Sequence, residues 1–341
     1  MTRLTCALGP DSAGTLLRHF LRGARERLDV AMYEVGPSYG WMFPEAMRKG
    51  ARVRVLLDGH GGVNRGCLEE LARAAEGGTV VPCRMVRRHA GADAHWKLLA
   101  ADDDRLAVGT GNLDERDAPS DHGGLLPPHA LPRPGTREWW AFIEGAPTLT
   151  AMVRTRFSLA WRQALPPPRL WAVEEAVAAP PIGAPTPAVP PLELELAPRR
   201  LRVVTDARAV LELLESTLES ASQRVLLTVP YLHAWAPPVR PLLARLTDLQ
   251  RAGTDVRILL GAEPAAGDAA AILDRGIPSR VMDPDRCTTG HAKGLVVDGV
   301  AVVMSSNWSS TGLGGSLESA LHIDHPLAAE YYADFFERDW A

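Results

Sequence analysis

The stretch His291-Ala292-Lys293-Gly294-Leu295-Val296-Val297-Asp298-Gly299, followed by Val300-Ala301-Val302-Val303-Met304-Ser305-Ser306-Asn307, decides how this chain is read. Side chains alternate faces along a strand, so an imidazole and an ammonium two residues apart share one side. Gly294-Leu295-Val296-Val297 reads as a buried strand and Asp298-Gly299 as the hairpin turn that ends it. The apolar return run brings Ser305, Ser306 and Asn307 back to the level of the histidine. One strand pair then presents His, Lys and Asn together, a set that suits a phosphate. Lys supplies charge, Ser and Asn supply neutral donors, and His can attack or carry a proton.

The pattern occurs twice. His95-Trp96-Lys97-Leu98-Leu99-Ala100-Ala101-Asp102 repeats the His-x-Lys-x4-Asp spacing, and Leu106-Ala107-Val108-Gly109-Thr110-Gly111-Asn112 repeats the return strand. His95 to Asn112 is 17 residues and His291 to Asn307 is 16. Trp96, between His95 and Lys97, is expected to face the other way and pack inward. The duplication extends outward from the motifs. Residues 206–222 mirror a helix expected over about 13–27. Val225 to Tyr231 mirrors the strand Leu28 to Tyr33, and Val256 to Leu260 mirrors Val53 to Leu57. Glu318-Ser319-Ala320-Leu321-His322-Ile323-Asp324 aligns with Glu138-Trp139-Trp140-Ala141-Phe142-Ile143-Glu144. Each copy closes on Phe-x3-Trp, at Phe157/Trp161 and Phe336/Trp340. Glu138 to Trp161 is 23 residues and Glu318 to Trp340 is 22, whereas Asn112 to Glu138 is 26 against 11 from Asn307 to Glu318. A long loop over 113–135, rich in Asp, Pro, Gly and His, accounts for the excess.

Helices over about 39–49 and 66–76 and a short edge strand at 80–83 complete the first copy. Residues 165–198 hold ten prolines and read as a semi-rigid linker. The division is therefore 1–164, a linker at 165–198, and 199–341. A repeat of about 180 residues is too long for a solenoid. It implies two similar α/β domains, each a sheet covered by helices, related by a pseudo-twofold axis. Motifs close to that axis would form one shared active site.

The doubled His-x-Lys-x4-Asp with its trailing Asn resembles the phospholipase D superfamily of phosphodiesterases and phosphatidyltransferases, over nearly the whole chain. The resemblance implies two phospholipase D-like α-β-α domains and a metal-independent reaction through a phosphohistidine, with no cofactor. It implies His95 as nucleophile and His291 as general acid/base, the reverse assignment staying open on sequence alone. Lys97, Lys293, Asn112 and Asn307 would bind the phosphate. Thr110, and Ser305 or Ser306, stand where the family usually has a serine near it. Glu318 would orient His95 and Glu138 would orient His291, each across the two copies; both could instead be salt-bridged strand ends. Asp102 and Asp298 are read as structural hairpin residues.

The remaining features bound the function. A formal charge of −4 over 341 residues supplies no global basic field for nucleic acid. The acids Asp114, Glu115, Asp117 and Asp121 of the long loop are expected to discourage a polyanion on that side. Cys6, Cys67, Cys83 and Cys287 lack any metal or CxxC spacing and read as free thiols of a reducing compartment. Neither a signal-type apolar segment nor a run of 18 apolar residues is present, so the expectation is a cytoplasmic monomer with at most peripheral membrane contact. Arg84, Arg87, Arg88 and His89 offer either a positive rim or a solvated charge run. Tyr33 and Tyr231 line the cleft floor or pack in the core. Trp139, Trp140, Trp161 and Trp340 read as core, His233 to Pro238 as a surface loop at the cleft rim, and Asp58 to Gly62 as a strand-end turn. Phospholipid is the favoured substrate; the alternative is a nuclease or nucleic-acid end-processing phosphodiesterase. A non-catalytic binding module built from a decayed copy is the third reading, and two intact motifs oppose it.

Overall fold

Two sheets organise the chain, which a computed structural model describes over residues 1–59, 63–86, 93–119, 133–167 and 190–341. The first half supplies β1 (Thr2–Gly9), β2 (Arg27–Met32), β3 (Arg52–Asp58), β4 (Cys83–Val86), β5 (Lys97–Ala101), β6 (Arg105–Gly109), β7 (Arg133–Glu144) and β8 (Leu192–Leu196). The second supplies β9 (Leu201–Val204), β10 (Arg224–Val229), β11 (Asp255–Leu260), β12 (Ser279–Val281), β13 (Cys287–Gly290), β14 (Gly294–Val297), β15 (Val300–Met304) and β16 (Ala320–Asp324). Among the described residues the first sheet runs β4-β3-β2-β5-β6-β7-β1-β8, and the second runs β12-β11-β10-β14-β15-β16-β9. Place by place, the first seven strands of one sheet match those of the other. β13 leaves its own half and pairs parallel with β7, which joins the two copies beside the second motif.

Helices α1 (Ala13–Arg22), α2 (Pro37–Gly40), α3 (Met42–Arg48) and α4 (Arg65–Glu76) cover one face of the first sheet, and α5 (Pro147–Gln163) the other. In the second half α6 (Ala207–Glu219), α7 (Val239–Arg251) and α8 (Ala266–Leu273) take the outer face and α9 (Pro326–Trp340) the inner one. Each half is thus an α-β-α sandwich. The central apolar cluster is shared: Leu98, Trp139 and Phe157 of one copy pack in the same body as Val296, Tyr332 and Phe336 of the other. Trp139 stacks on Tyr332 with centroids 4.5 Å apart, a contact of about 0.5–1.5 kcal/mol beyond its buried area.

The two copies agree in detail. Phe157 stacks on Trp161 and Phe336 on Trp340, with Arg54 of β3 and Arg257 of β11 over the respective rings. These tryptophans are half-buried, while Trp139 and Trp140 are fully buried. Asp102 and Asp298 hold the same left-handed turn, at φ 47° and 48°. The Asp102 carboxylate accepts from the backbone N–H of Arg25, Glu26 and Arg27 at 3.0, 2.8 and 3.3 Å. The Asp298 carboxylate accepts from Ser222, Gln223 and Arg224, each at 2.9 Å. Each aspartate pins its hairpin to the start of the neighbouring strand.

Several elements differ from expectation. The helix over 13–27 stops at Arg22, where Gly23 turns the chain, and the one over 39–49 is split at Trp41 into α2 and α3. The edge strand lies at 83–86 rather than 80–83, because Pro82 has no N–H to pair. β1 was not foreseen. Residues 192–196, assigned to the linker by proline content, form β8 on β1, with Glu193 and Glu195 outward and Leu192, Leu194 and Leu196 packed on the shared core. Alternation with period two outweighs the nearby prolines there. The linker's middle, residues 168–189, lies outside the described residues, as do Arg87, Arg88, His89, Asp121 and the His60-Gly61-Gly62 turn.

Candidate active site

The histidines sit just before β5 and β14, where each chain enters its sheet along the contact between the copies. Ala94 N–H donates to Asp58 Oδ2 at 2.8 Å, and His291 N–H donates to the Arg137 carbonyl at 3.1 Å. Both anchors hold a main-chain N–H, so each imidazole enters the site from a fixed main chain. Trp96 packs inward as expected, its indole N–H donating to Thr205 and Glu318 carbonyls of the other half. Gly294 has no Cβ for a physical reason, since one would lie 2.1 Å from the Trp139 ring.

The structure joins the predicted residues crosswise. His95 Nδ1 meets Glu318 Oε2 at 3.2 Å, and His291 Nδ1 meets Glu138 Oε1 in a short hydrogen bond. Each histidine is therefore held by the glutamate of the other copy. Lys97 and Lys293 are fully buried. Lys97 Nζ donates to the His95 carbonyl at 3.1 Å and lies 5.0 Å from the Tyr33 ring centre. Lys293 Nζ reaches into the first half, 3.2 Å from the Thr110 carbonyl, and also contacts His291 Nε2 at 2.9 Å. Asn112 donates to Asp117 Oδ2 and Asn307 to the Tyr231 hydroxyl, at 2.8 and 3.0 Å. Each asparagine keeps an amide oxygen without a partner among the described residues. Tyr33 packs edge-on against His95 at 4.9 Å, so both tyrosines at the equivalent strand ends belong to the site.

Thr110 and Ser305 correct the expectation of phosphate contact. The Thr110 hydroxyl donates to Glu138 and accepts from Trp139 N–H at 2.9 Å; the Ser305 hydroxyl donates to Glu318 and accepts from Ser319 N–H at 2.8 Å. Both are fully buried, and an O–H has one proton, already given to a carboxylate. They brace the glutamates instead.

Sequence reasoning passed over Asp117 and Thr136 as site residues. Asp117 Oδ2 accepts from the backbone and side-chain N–H of Asn112, and Oδ1 from Arg116 Nε at 3.1 Å and the Thr136 hydroxyl at 2.9 Å. It lies 3.8 Å from His291 Nδ1. The signal was an Asx turn: Asp114 Oδ1 takes the N–H of Arg116 and Asp117. This turn folds Asp117 inward and so takes it out of the repelling surface expected of the loop's acids. Glu115 does face outward, beside Arg18.

Burial dominates the electrostatics. It holds the His95 pKa well below the usual imidazole value, with Lys97, Lys293 and His291 adding to the effect. Burial also brings Lys97 down to about 7 and Lys293 down to about 8, and raises Glu318 to about 8. Asp117 goes the other way: burial opposes its charge, but His291, the Asn112 N–H and Arg116 bring it down to about 2. Among the described residues, Asp117, Glu138 and His291 bring ligand-type atoms within 4.8 Å of one another. Their carboxylate oxygens already accept from protein donors, so as built the group is a hydrogen-bond network.

Residues 214–340 match the family model described as cardiolipin synthase, PLD-like domain. This part of the chain is a phospholipase D-like domain. The first half carries its strands in the same order. No curated protein matches the sequence. Among solved structures, the phosphatidylserine synthase of Haemophilus influenzae Rd KW20 covers 98% of this chain and 86% of its own at TM-score 0.65 and 14% identity. Polyphosphate kinase from Porphyromonas gingivalis covers 99% of this chain at TM-score 0.61 and 13% identity, and this chain spans half of that one. The phospholipase D family member Nuc from Salmonella typhimurium covers 48% of this chain and 97% of its own at TM-score 0.40 and 17% identity. For the synthase and the kinase the likeness is one of fold, and one fold serves several chemistries.

Proposed function

We propose that the chain is a phosphodiesterase or phosphatidyltransferase of phospholipase D type, with phospholipid as its substrate. The crosswise pairing of His95 with Glu318 and His291 with Glu138, around two buried lysines, carries this reading. Neutral His95 donates Nδ1–H to Glu318 and keeps a lone pair on Nε2. Nε2 attacks phosphorus, the N–P bond forms, and the P–O bond to the leaving group breaks. His291, protonated on Nε2, gives that proton to the departing oxygen. Water or an alcohol then loses a proton to His291, attacks phosphorus and frees His95. At rest Lys293 faces His291 Nε2; an arriving phosphate is the better partner for the ammonium, leaving Nε2 to carry the proton. Lys97, Lys293, Asn112 and Asn307 hold the charge on the phosphoryl oxygens. A cytoplasmic monomer in peripheral contact with the membrane fits this reading.

The lipid assignment draws on one rim. Tyr231, bonded to Asn307, leads through stacked His233 to Trp235, which is 57% exposed. Asp268 of α8 accepts the Ala234 N–H at 2.7 Å, and Ala265, Ala266 and Ala270 are exposed beside this anchor. An apolar rim with an outward tryptophan suits the level of lipid headgroups. The test is turnover of phosphatidylglycerol vesicles side by side with single- and double-stranded DNA, with bis(p-nitrophenyl) phosphate as the common reporter. His95→Ala and His291→Ala are each expected to abolish turnover, and EDTA to leave the parent chain active. Full activity of either variant would end the shared-site reading; DNA cleavage without lipid turnover would move the substrate to nucleic acid.

A further inference from the structure

We infer that Asp117 is the positioning residue that divides labour between the two histidines, committing His291 to proton transfer and leaving His95 as the nucleophile. The inference rests on the phosphodiesterase reading above and concerns how its pseudo-symmetric site is made unequal. Glu138 and Glu318 are matched, each bonded to the other copy's histidine and braced by a buried hydroxyl. Among the described residues Asp117 has no match. It lies five residues after Asn112, and five residues after Asn307 stands Gly312. A Cβ at Gly312 would lie 2.3 Å from the Asn307 carbonyl oxygen, so that position cannot carry an acid without moving the backbone.

The consequence is chemical. His291 has two buried carboxylates at Nδ1, with Thr136 Oγ1 2.9 Å from Asp117 and 3.2 Å from Glu138. Among the described residues His95 has one, and around it burial and the lysines favour the neutral ring. The groups facing His291 are Glu138 and Asp117, Lys293 beside Nε2, and Glu34 and His95 within electrostatic reach. An opposite charge within about 4–6 Å favours the charged form of an ionisable group. Asp117 therefore stabilises the imidazolium that must hold a proton for the leaving oxygen. Its grip on Asn112 fixes a phosphate donor at the same time.

The experiment uses the full chain with Asp117→Asn, which keeps the shape and removes the charge, and Asp117→Ser, with thermal melts to report folding. The substrates are bis(p-nitrophenyl) phosphate, whose leaving group needs no proton, and phosphatidylglycerol in vesicles, whose alkoxide does. Both variants are expected to lose roughly 10- to 100-fold in kcat on the lipid. Their first-turnover burst of nitrophenol should fall clearly less, because attack by His95 on this ester needs no proton from His291 and only the hold on Asn112 is weakened. Equal losses on both substrates would make Asp117 merely structural and overturn the inference. So would covalent phosphate trapped on His291 of the parent chain. A parent chain inactive on both esters would instead defeat the phosphodiesterase reading, and this inference with it.

Discussion

The two half-sites invite comparison. Around His95 the supporting groups are Glu318 and the Ser305 hydroxyl; around His291 they are Glu138, Asp117, Thr110, Thr136 and Arg116. Elsewhere the copies agree, down to matched Asp hairpins and matched arginine-covered Phe/Trp stacks. Duplication preserved whatever folds each half and let the surroundings of the histidines diverge where the copies meet. On the proposed mechanism, that inequality assigns the attacking and protonating roles.

The sharpest way to break the comparison is to remove each imidazole and vary the leaving group. His95→Ala should lose nitrophenyl and alkyl esters alike, as no other side chain replaces the nucleophile. His291→Ala should lose about 10²- to 10⁴-fold on alkyl esters, the usual worth of a general acid, and clearly less in the nitrophenol burst. The opposite pattern, read by pre-steady-state kinetics, would exchange the two roles.

The lysines give a second handle. Burial and the neighbouring Lys293 bring Lys97 to about 7; burial alone acts downward most on Lys293, and Glu138 and Asp117 partly restore it to about 8. If the ammonium forms bind phosphate, kcat/KM should fall as pH rises through 7 and 8, steepening to about tenfold per unit or more once both lysines lose their protons. A profile flat to pH 10 would mean the lysines keep their charge in the free protein.

A third comparison concerns folding. Asp102→Ala and Asp298→Ala each leave backbone N–H groups without their acceptor and should cost about 1–3 kcal/mol apiece by urea titration, to similar extents. Burial raises both carboxyl pKa values, but the backbone donors outweigh it and bring them below the ordinary carboxylate value. Their stabilisation is accordingly complete above the unfolded-state value and fades as pH falls through the depressed one. Unequal losses would show that the two hairpins no longer do the same job. The smallest effect is expected at the rim, where Trp235→Ala should lower vesicle turnover by about threefold to tenfold and spare the soluble ester. An equal loss on both would place Trp235 in the reaction rather than at the lipid surface.

The sequence by itself was enough for the repeat, its strand pairs, the turn at each aspartate and the set of His, Lys, Asn and Glu side chains. Those features rest on local periodicity and on spacing repeated in two places. It did not reveal β1 or β8, because each owes its place to a partner far along the chain, β1 to β7 and β8 to β1. Nor could it assign the hydroxyls of Thr110 and Ser305, whose single protons are spent on glutamates that only the return of β7 and β16 brings near. The place of Asp117 in the site is hidden for the same reason: in the sequence it is one acid among several in a loop. Tertiary packing turns it inward beside a histidine 174 residues away, since a buried carboxylate is tolerable only where folding gathers enough donors and positive charge around it.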